Sequence, residues 1–239
     1  MYSIFKKELN TFFSSLTGYL VIAVFLLVNA WFLWIGKSSF NIIDSGFASL
    51  SGLFEIAPWL FLFLLPAITM RSIADEKKSG TIELLLSQPI TERQLILGKY
   101  FATVVVAWLA LLPTFIYFIS VYRLGNGNID MGGTWGSYIG LFLLAAGYAA
   151  IGVFTSSLTD NQIVAFILAA VGCFFFYLGF DGLSVLLRPL DSFLMSIGIN
   201  EHYQSLSRGV IDWRDILYFA SLVIVFLEAA RLKLEARKW

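Results

Sequence analysis

The chain has 239 residues, of which 59% are hydrophobic and 13% charged, far from the roughly 25% charged content of soluble domains, so it reads as an integral membrane protein. Its 16 Lys and Arg balance its 16 Asp and Glu, which leaves no basic field to mark nucleic acid as a partner. The single cysteine, Cys173, lies inside an apolar run and reads as a packing residue, since one thiol supports neither an intrachain disulfide nor a Cys-rich metal site.

The first element, over 1–17, is amphipathic: Phe5, Leu9, Phe12 and Leu16 share one side, and Ser3, Lys7, Asn10 and Ser14 the other. This pattern predicts a helix lying in the headgroup plane, an elbow and not a span. The apolar stretch that follows is longer than the h-region of a signal peptide, so it is expected to be retained. Because about 20 apolar residues cross the hydrocarbon, spans are expected over about 19–35, 56–73, 100–122, 135–158, 163–180 and 214–230. No Pro/Gly/Ser-rich or charge-block linker divides them, which makes residues 1–239 one all-α bundle of six transmembrane helices. Asn161 is placed to cap the fifth helix. The loops at 36–55 and 123–134 are too short for a separate domain, and in the 181–215 loop two stretches, DSFLMSIG and EHYQSLSRGVI, are candidates for short helices.

Between the second and third spans lies a charged island, 71–99, RSIADEKKSGTIELLLSQPITERQLILGK, holding nine of the 32 charged residues. Arg71 to Lys78 is expected to continue the preceding helix, and Ser79-Gly80 to break it. Thr81 to Ser87 forms a short helix with Ile82, Leu85 and Leu86 on one face, which Pro89 ends. Thr91 and Gln94 have the spacing of a capping box at the start of the next helix. With the N-terminus inside, eleven Lys and Arg fall on the island's side and five on the other. The positive-inside rule therefore puts the island and both termini in the cytoplasm.

The order Glu76, Lys77, Lys78, Gly80, Thr81, Glu83, Leu84, Leu85, Pro89, Gly98, Lys99 resembles the membrane subunit of ABC-2 type transporters, and within them the permease subunit of the gliding-motility-associated branch. The resemblance covers span number and order along nearly the whole chain. It implies that the island is a coupling helix seated in a groove of a cytoplasmic ABC ATPase, with Glu76, Gly80, Thr81, Glu83, Leu84, Leu85, Leu86 and Pro89 as contacts and Lys6 and Lys7 of the elbow as secondary ones. It further implies two ATPase copies, a second permease half, identical or different, and ATP with Mg held by the ATPases and no cofactor held by this chain. A bacterial inner-membrane setting, an exporter role and support of gliding motility follow from the same likeness.

Catalytic patterns are missing. Gly36-Lys37-Ser38 matches the tail of a Walker A motif, but its required first glycine falls on Trp31. His202 is the sole histidine, without H-E-x-x-H spacing, and reads as a surface or interfacial residue. Over their apolar cores, which for the second and sixth spans run from Ile56 to Met70 and from Ile216 to Ala230, the expected spans hold no Asp, Glu, Lys, Arg or His apart from Glu228 near an end, whereas ion-coupled carriers place such residues at the midplane. An ATP-driven permease is therefore favoured over an ion-coupled secondary transporter or a non-transporting scaffold of an envelope complex.

Overall fold

The computed structural model describes residues 1–86, 90–127 and 129–236, and of Thr17, Leu86 and Leu190 the backbone alone. Helix α1 (Tyr2–Ser14) turns Ile4 inward and leaves Lys6, Lys7 and Asn10 exposed. It lies along α7, described below, where Gly98 makes room: a Cβ there would sit 3.0 Å from Ile4 Cβ and Cγ2. Ser15 is extended and its hydroxyl accepts from Gly18 N at 3.3 Å, so the chain turns sharply into α2 (Leu16–Ala30), which ends in a π turn, Trp31–Ile35. A one-turn α3 (Ile42–Ser45) is capped by Asn41, whose side chain accepts from Ile43 N at 2.9 Å.

Helix α4 (Ser51–Thr69) contains Pro58 and Pro66. Proline at 58 has no N–H to give the carbonyl four residues back, and that carbonyl, Phe54 O, instead accepts the Tyr203 hydroxyl at 2.6 Å. Burial holds the Tyr203 phenol well above its usual range, so it stays a neutral donor. After α4 come α5 (Ala74–Lys78), α6 (Thr81–Leu86) and α7 (Glu92–Leu111). A 3-10 turn at Leu112–Thr114 joins α7 to α8 (Phe115–Leu124). The capping box at the start of α7 is formed: Thr91 Oγ1 accepts from Gln94 N at 3.3 Å, and Gln94 Oε1 from Thr91 N at 3.4 Å.

Helix α9 (Met131–Leu158) is the axis of the bundle, 72% buried over its most apolar stretch. It packs against α4 and α7 and, later in the chain, α10, α13 and α14. Small residues on α9 allow this. At Gly152 the Thr69 side chain fills the place a Cβ would take, the close approach that glycine and alanine permit between helices. Helix α10 (Gln162–Phe174), capped by Asn161 Oδ1 at 2.9 Å, runs through a π turn (Phe175–Gly179) into α11 (Phe180–Leu186). Cys173 is buried on it. A 3-10 turn (Arg188–Leu190), α12 (Asp191–Met195) and α13 (Ile199–Ser207) lead to α14 (Trp213–Glu235).

Among the described residues, five helical stretches are long and apolar enough to cross a membrane: Gly18–Ile35, Ser51–Lys78, Glu92–Leu124, Met131–Leu158 and Gln162–Leu186. Helix α14 is not among them, because Arg214, Asp215, Glu228, Arg231, Lys233 and Glu235 dilute its apolar residues. The helices outrun the apolar runs at several ends, which corrects the expectation of spans free of charge: Glu55 sits on α4, Asp181 on α11, Asp215 on α14 and Lys99 on α7. His202, expected as a surface or interfacial residue, is partly buried. Its side chain is 14% exposed, Nδ1 meets Asp215 Oδ1 at 2.7 Å, Nε2 meets Ser196 O at 3.0 Å, and the ring stacks on Tyr218 at 3.9 Å. The helices expected in the 181–215 loop are α12 and α13, and α13 buries Ile199, Tyr203 and Leu206.

Candidate functional site

The charged island is built onto the bundle by named bonds. The helical run continues from α4 to Lys78 as expected, but a turn over 70–73 breaks it between Thr69 and α5. The N–H groups of Ile73 and Ala74, which open α5, both donate to Ser156 Oγ of α9, at 3.0 and 3.1 Å. One hydroxyl thus satisfies two donors at a helix start, where such groups have no partner in their own helix. Two more links follow from α5: the Lys77 ammonium donates to Ser157 O at the end of α9, and the Asp75 carboxylate accepts from the Gln162 amide at the start of α10. Ser156→Ala is expected to lower the melting temperature by several degrees, since two buried N–H groups lose their acceptor at about 1–3 kcal/mol. Differential scanning fluorimetry of the purified protein checks it, and an unchanged transition would show that the bonds contribute nothing.

Gly80 then turns the chain with φ +70°, a left-handed conformation that a residue with a Cβ rarely adopts. Helix α6 follows with Ile82 fully buried, Leu85 half-buried, and Thr81, Glu83 and Leu84 exposed, Leu84 at 67%. A large apolar side chain is thus presented outward beside an acid on a six-residue helix whose other face is packed.

Beneath α6 lies an ion cluster. Lys99, 2% exposed and about two turns into α7, places its ammonium 2.8 Å from Glu8 Oε1 of α1, 2.8 Å from Glu76 Oε1 of α5 and 2.5 Å from Ser72 O in the turn after α4. Two of its N–H groups donate, to Glu8 and Ser72 O, and its charge is matched by Glu8 and Glu76, the compensation a buried ammonium requires. Lys7 adds a looser pair to Glu76 at 3.6 Å. One side chain therefore ties together α1, the end of α4, α5 and α7. On the far side, Arg93 pairs with Glu228 at 3.3 Å, and Arg231 with Glu228 at 3.2 Å and Glu235 at 2.8 Å, joining α14 to the start of α7.

The structure thus separates the residues singled out in the sequence. Thr81, Glu83 and Leu84 lie on the outer face of α6, Gly80 in the turn before it and Leu85 at its edge. Glu76 is 12% exposed and belongs to the ion cluster, with Lys7 beside it, while Lys6 is exposed on α1. The Leu86 side chain and Pro89 lie outside the described residues. Sequence reasoning missed Glu8, Ser72, Ser156, Ser157 and Gln162. Lys99 did carry a signal, as a charge followed directly by 23 uncharged residues. No group of three or more His, Cys, Asp or Glu suited to a metal ion occurs among the described residues.

No curated protein matches the chain. The family model for ABC-2 family transporter protein matches residues 2–227, from the start of α1 through most of α14. By that match, spanning α1, the charged island and the ion cluster together, the chain belongs to the ABC-2 family of multi-pass transporter membrane proteins.

Proposed function

We propose that the chain is the six-span permease subunit of an ATP-driven transporter and that α6 is the helix through which a cytoplasmic ABC ATPase moves it. The observation that carries this reading is the pairing of an exposed Leu84 and Glu83 face with a rigid mounting: α6 follows α5, which is bonded to α9, α10 and the Lys99 cluster. A push on α6 reaches the elbow and the ends of three membrane helices without passing through a flexible joint. Membership of the family implies the ATPase partner.

In this reading α14 is the sixth span, with Glu228 held at the cytoplasmic interface by Arg93 and Arg231. Placing a charge there avoids the cost of about 2.5 to 3.5 kcal/mol that it carries at a bilayer centre. Both termini face the cytoplasm of a bacterial inner membrane. The complex holds a second permease half and two ATPases, which bind the ATP and Mg. Export follows from the likeness stated above, as does support of gliding. Glu55 and Asp215 lie in the first two turns of their helices, Asp181 in the last two turns of the Gln162–Leu186 stretch, and Lys99 is paired with Glu8 and Glu76, so none of these four offers the midplane charge of an ion-coupled carrier.

The test is co-purification with the ATPase encoded beside it. Glu83→Lys with Leu84→Asp changes only exposed positions. It is expected to leave the membrane-inserted subunit intact and to abolish complex formation and stimulated hydrolysis in lipid, because apolar anchors at the centre of an interface cost about 2 kcal/mol or more when lost. An unchanged complex with unchanged hydrolysis would refute the assignment of α6 and favour the scaffold reading.

A further inference from the structure

A second feature of the same end is a cleft of about 420 Å³ between α1, α2, α4 and α7, within the range of about 300–1,000 Å³ usual for small-molecule sites. Its polar part is lined by Lys7, Glu8, Arg71, Ser72, Asp75 and Glu76. Its apolar wall continues over Phe12, Leu20, Val21, Ile68 and Val106, and Leu20 is 55% exposed, so the wall reaches the protein surface. Two buried polar atoms in it have no hydrogen-bond partner in the protein, Ser72 Oγ and Glu76 Oε2. Ser72 is only 8% exposed. Buried polar atoms are nearly always satisfied, and each orphan calls for a partner.

We propose that this cleft binds a phospholipid with a primary-ammonium head group, of the phosphatidylethanolamine type, its phosphate at Arg71 and Ser72, its ammonium at Glu76, and an acyl chain along the apolar wall. The choice follows from what the cluster leaves over. The Lys99 ammonium is already engaged, donating to Glu8 Oε1 and Ser72 O and paired with Glu76 at 2.8 Å. What remains is a hydroxyl donor on Ser72, an exposed guanidinium on Arg71 and a carboxylate oxygen on Glu76. A guanidinium takes a phosphate in a two-pronged grip. The Glu76 oxygen needs a donor, which an ammonium has and a choline head lacks. An anionic glycerol head has hydroxyls to donate but no positive charge to set against Glu8, Asp75 and Glu76. The amphipathic α1 sets the cleft at headgroup depth, with a chain running toward α2 and α4.

The test uses the full chain, purified and delipidated in detergent, with native mass spectrometry and melting curves. The probes are phosphatidylethanolamine, phosphatidylcholine and phosphatidylglycerol of one chain length, and soluble glycerophosphoethanolamine. Phosphatidylethanolamine is expected to bind about tenfold or more tightly than the other two lipids, the equivalent of one charge-assisted hydrogen bond, and the soluble head to bind far more weakly. Arg71→Ala is expected to cost about tenfold in that affinity, and Ser72→Ala a smaller factor, while Lys233→Ala, an exposed cation on α14, leaves it unchanged. Equal binding of the three lipids, no binding of phosphatidylethanolamine, or full affinity in Arg71→Ala overturns the proposal. Soluble head binding as tightly as lipid overturns the lipid assignment. None of these readouts involves the ATPase, so they stand or fall independently of the role of α6.

Discussion

Lys99→Met is expected to destabilise the protein by about 3–5 kcal/mol and to free the elbow helix. The methionine keeps the length and apolar stem of the lysine but leaves two carboxylates, Glu8 and Glu76, each of which had met the same ammonium at 2.8 Å, without their shared cation. Lys7 stands 3.6 Å from Glu76 and is itself 56% exposed, so it compensates only in part. Glu8, at 23% exposure, can turn to water, which puts the cost toward the lower end of the range. The measurements are the melting temperature in detergent and protease access to α1, both of which should change together. Adding Glu8→Gln and Glu76→Gln to Lys99→Met is expected to recover most of the loss, because no unpaired buried charge then remains. A single variant as stable as the parent would show that the cluster is not holding the elbow.

Gly152→Leu is the second large effect. Helices α4 and α9 touch here backbone to side chain, with Thr69 where a Cβ would stand. Thr69 cannot swing away freely: its hydroxyl donates to Leu65 O at 2.8 Å and the residue is fully buried. Four added carbons must therefore push the helices apart, an overpacking cost of about 3 kcal/mol. The same shift would pull Ser156, one turn on, away from Ile73 and Ala74. We expect a large fall in the amount of folded protein in the membrane and a lower melting temperature, with Gly152→Ala intermediate. Parent-like stability in Gly152→Leu would mean that the α4–α9 contact is looser than its geometry states.

What the sequence showed was set by how far apart the interacting residues lie. The capping box of Thr91 and Gln94, the Asn161 cap and the Gly80 break are local, and their residue types suffice to place them. Of the six spans expected from hydropathy, five coincide with helical stretches long and apolar enough to cross a membrane, but hydropathy did not place the helix ends: α4 starts at Ser51, ahead of its apolar run, because a helix end at the interface tolerates Glu55. The break at Thr69 was invisible, since the hydroxyl that receives the freed N–H groups comes from Ser156 on another helix. Likewise, Pro58 signals a missing bond, yet nothing near it points to Tyr203 as the residue that takes up the vacant carbonyl. Lys99 stood out as a charge at the edge of an apolar run, but its partner Glu8 lies 91 residues away. Residue type and spacing drew α6; they could not say that Glu76 faces inward and Leu84 outward.

The central claim is that a cytoplasmic ATPase grips the outer face of α6. The most direct measurement is site-directed cross-linking in the reconstituted complex on a Cys173→Ala background, comparing Leu84→Cys with Val185→Cys, which is 73% exposed at the opposite end of the bundle. A short bifunctional reagent should join residue 84 to the ATPase and residue 185 to nothing in it. An ATPase adduct from residue 185 with none from residue 84 would contradict both the orientation of the chain and the role of α6.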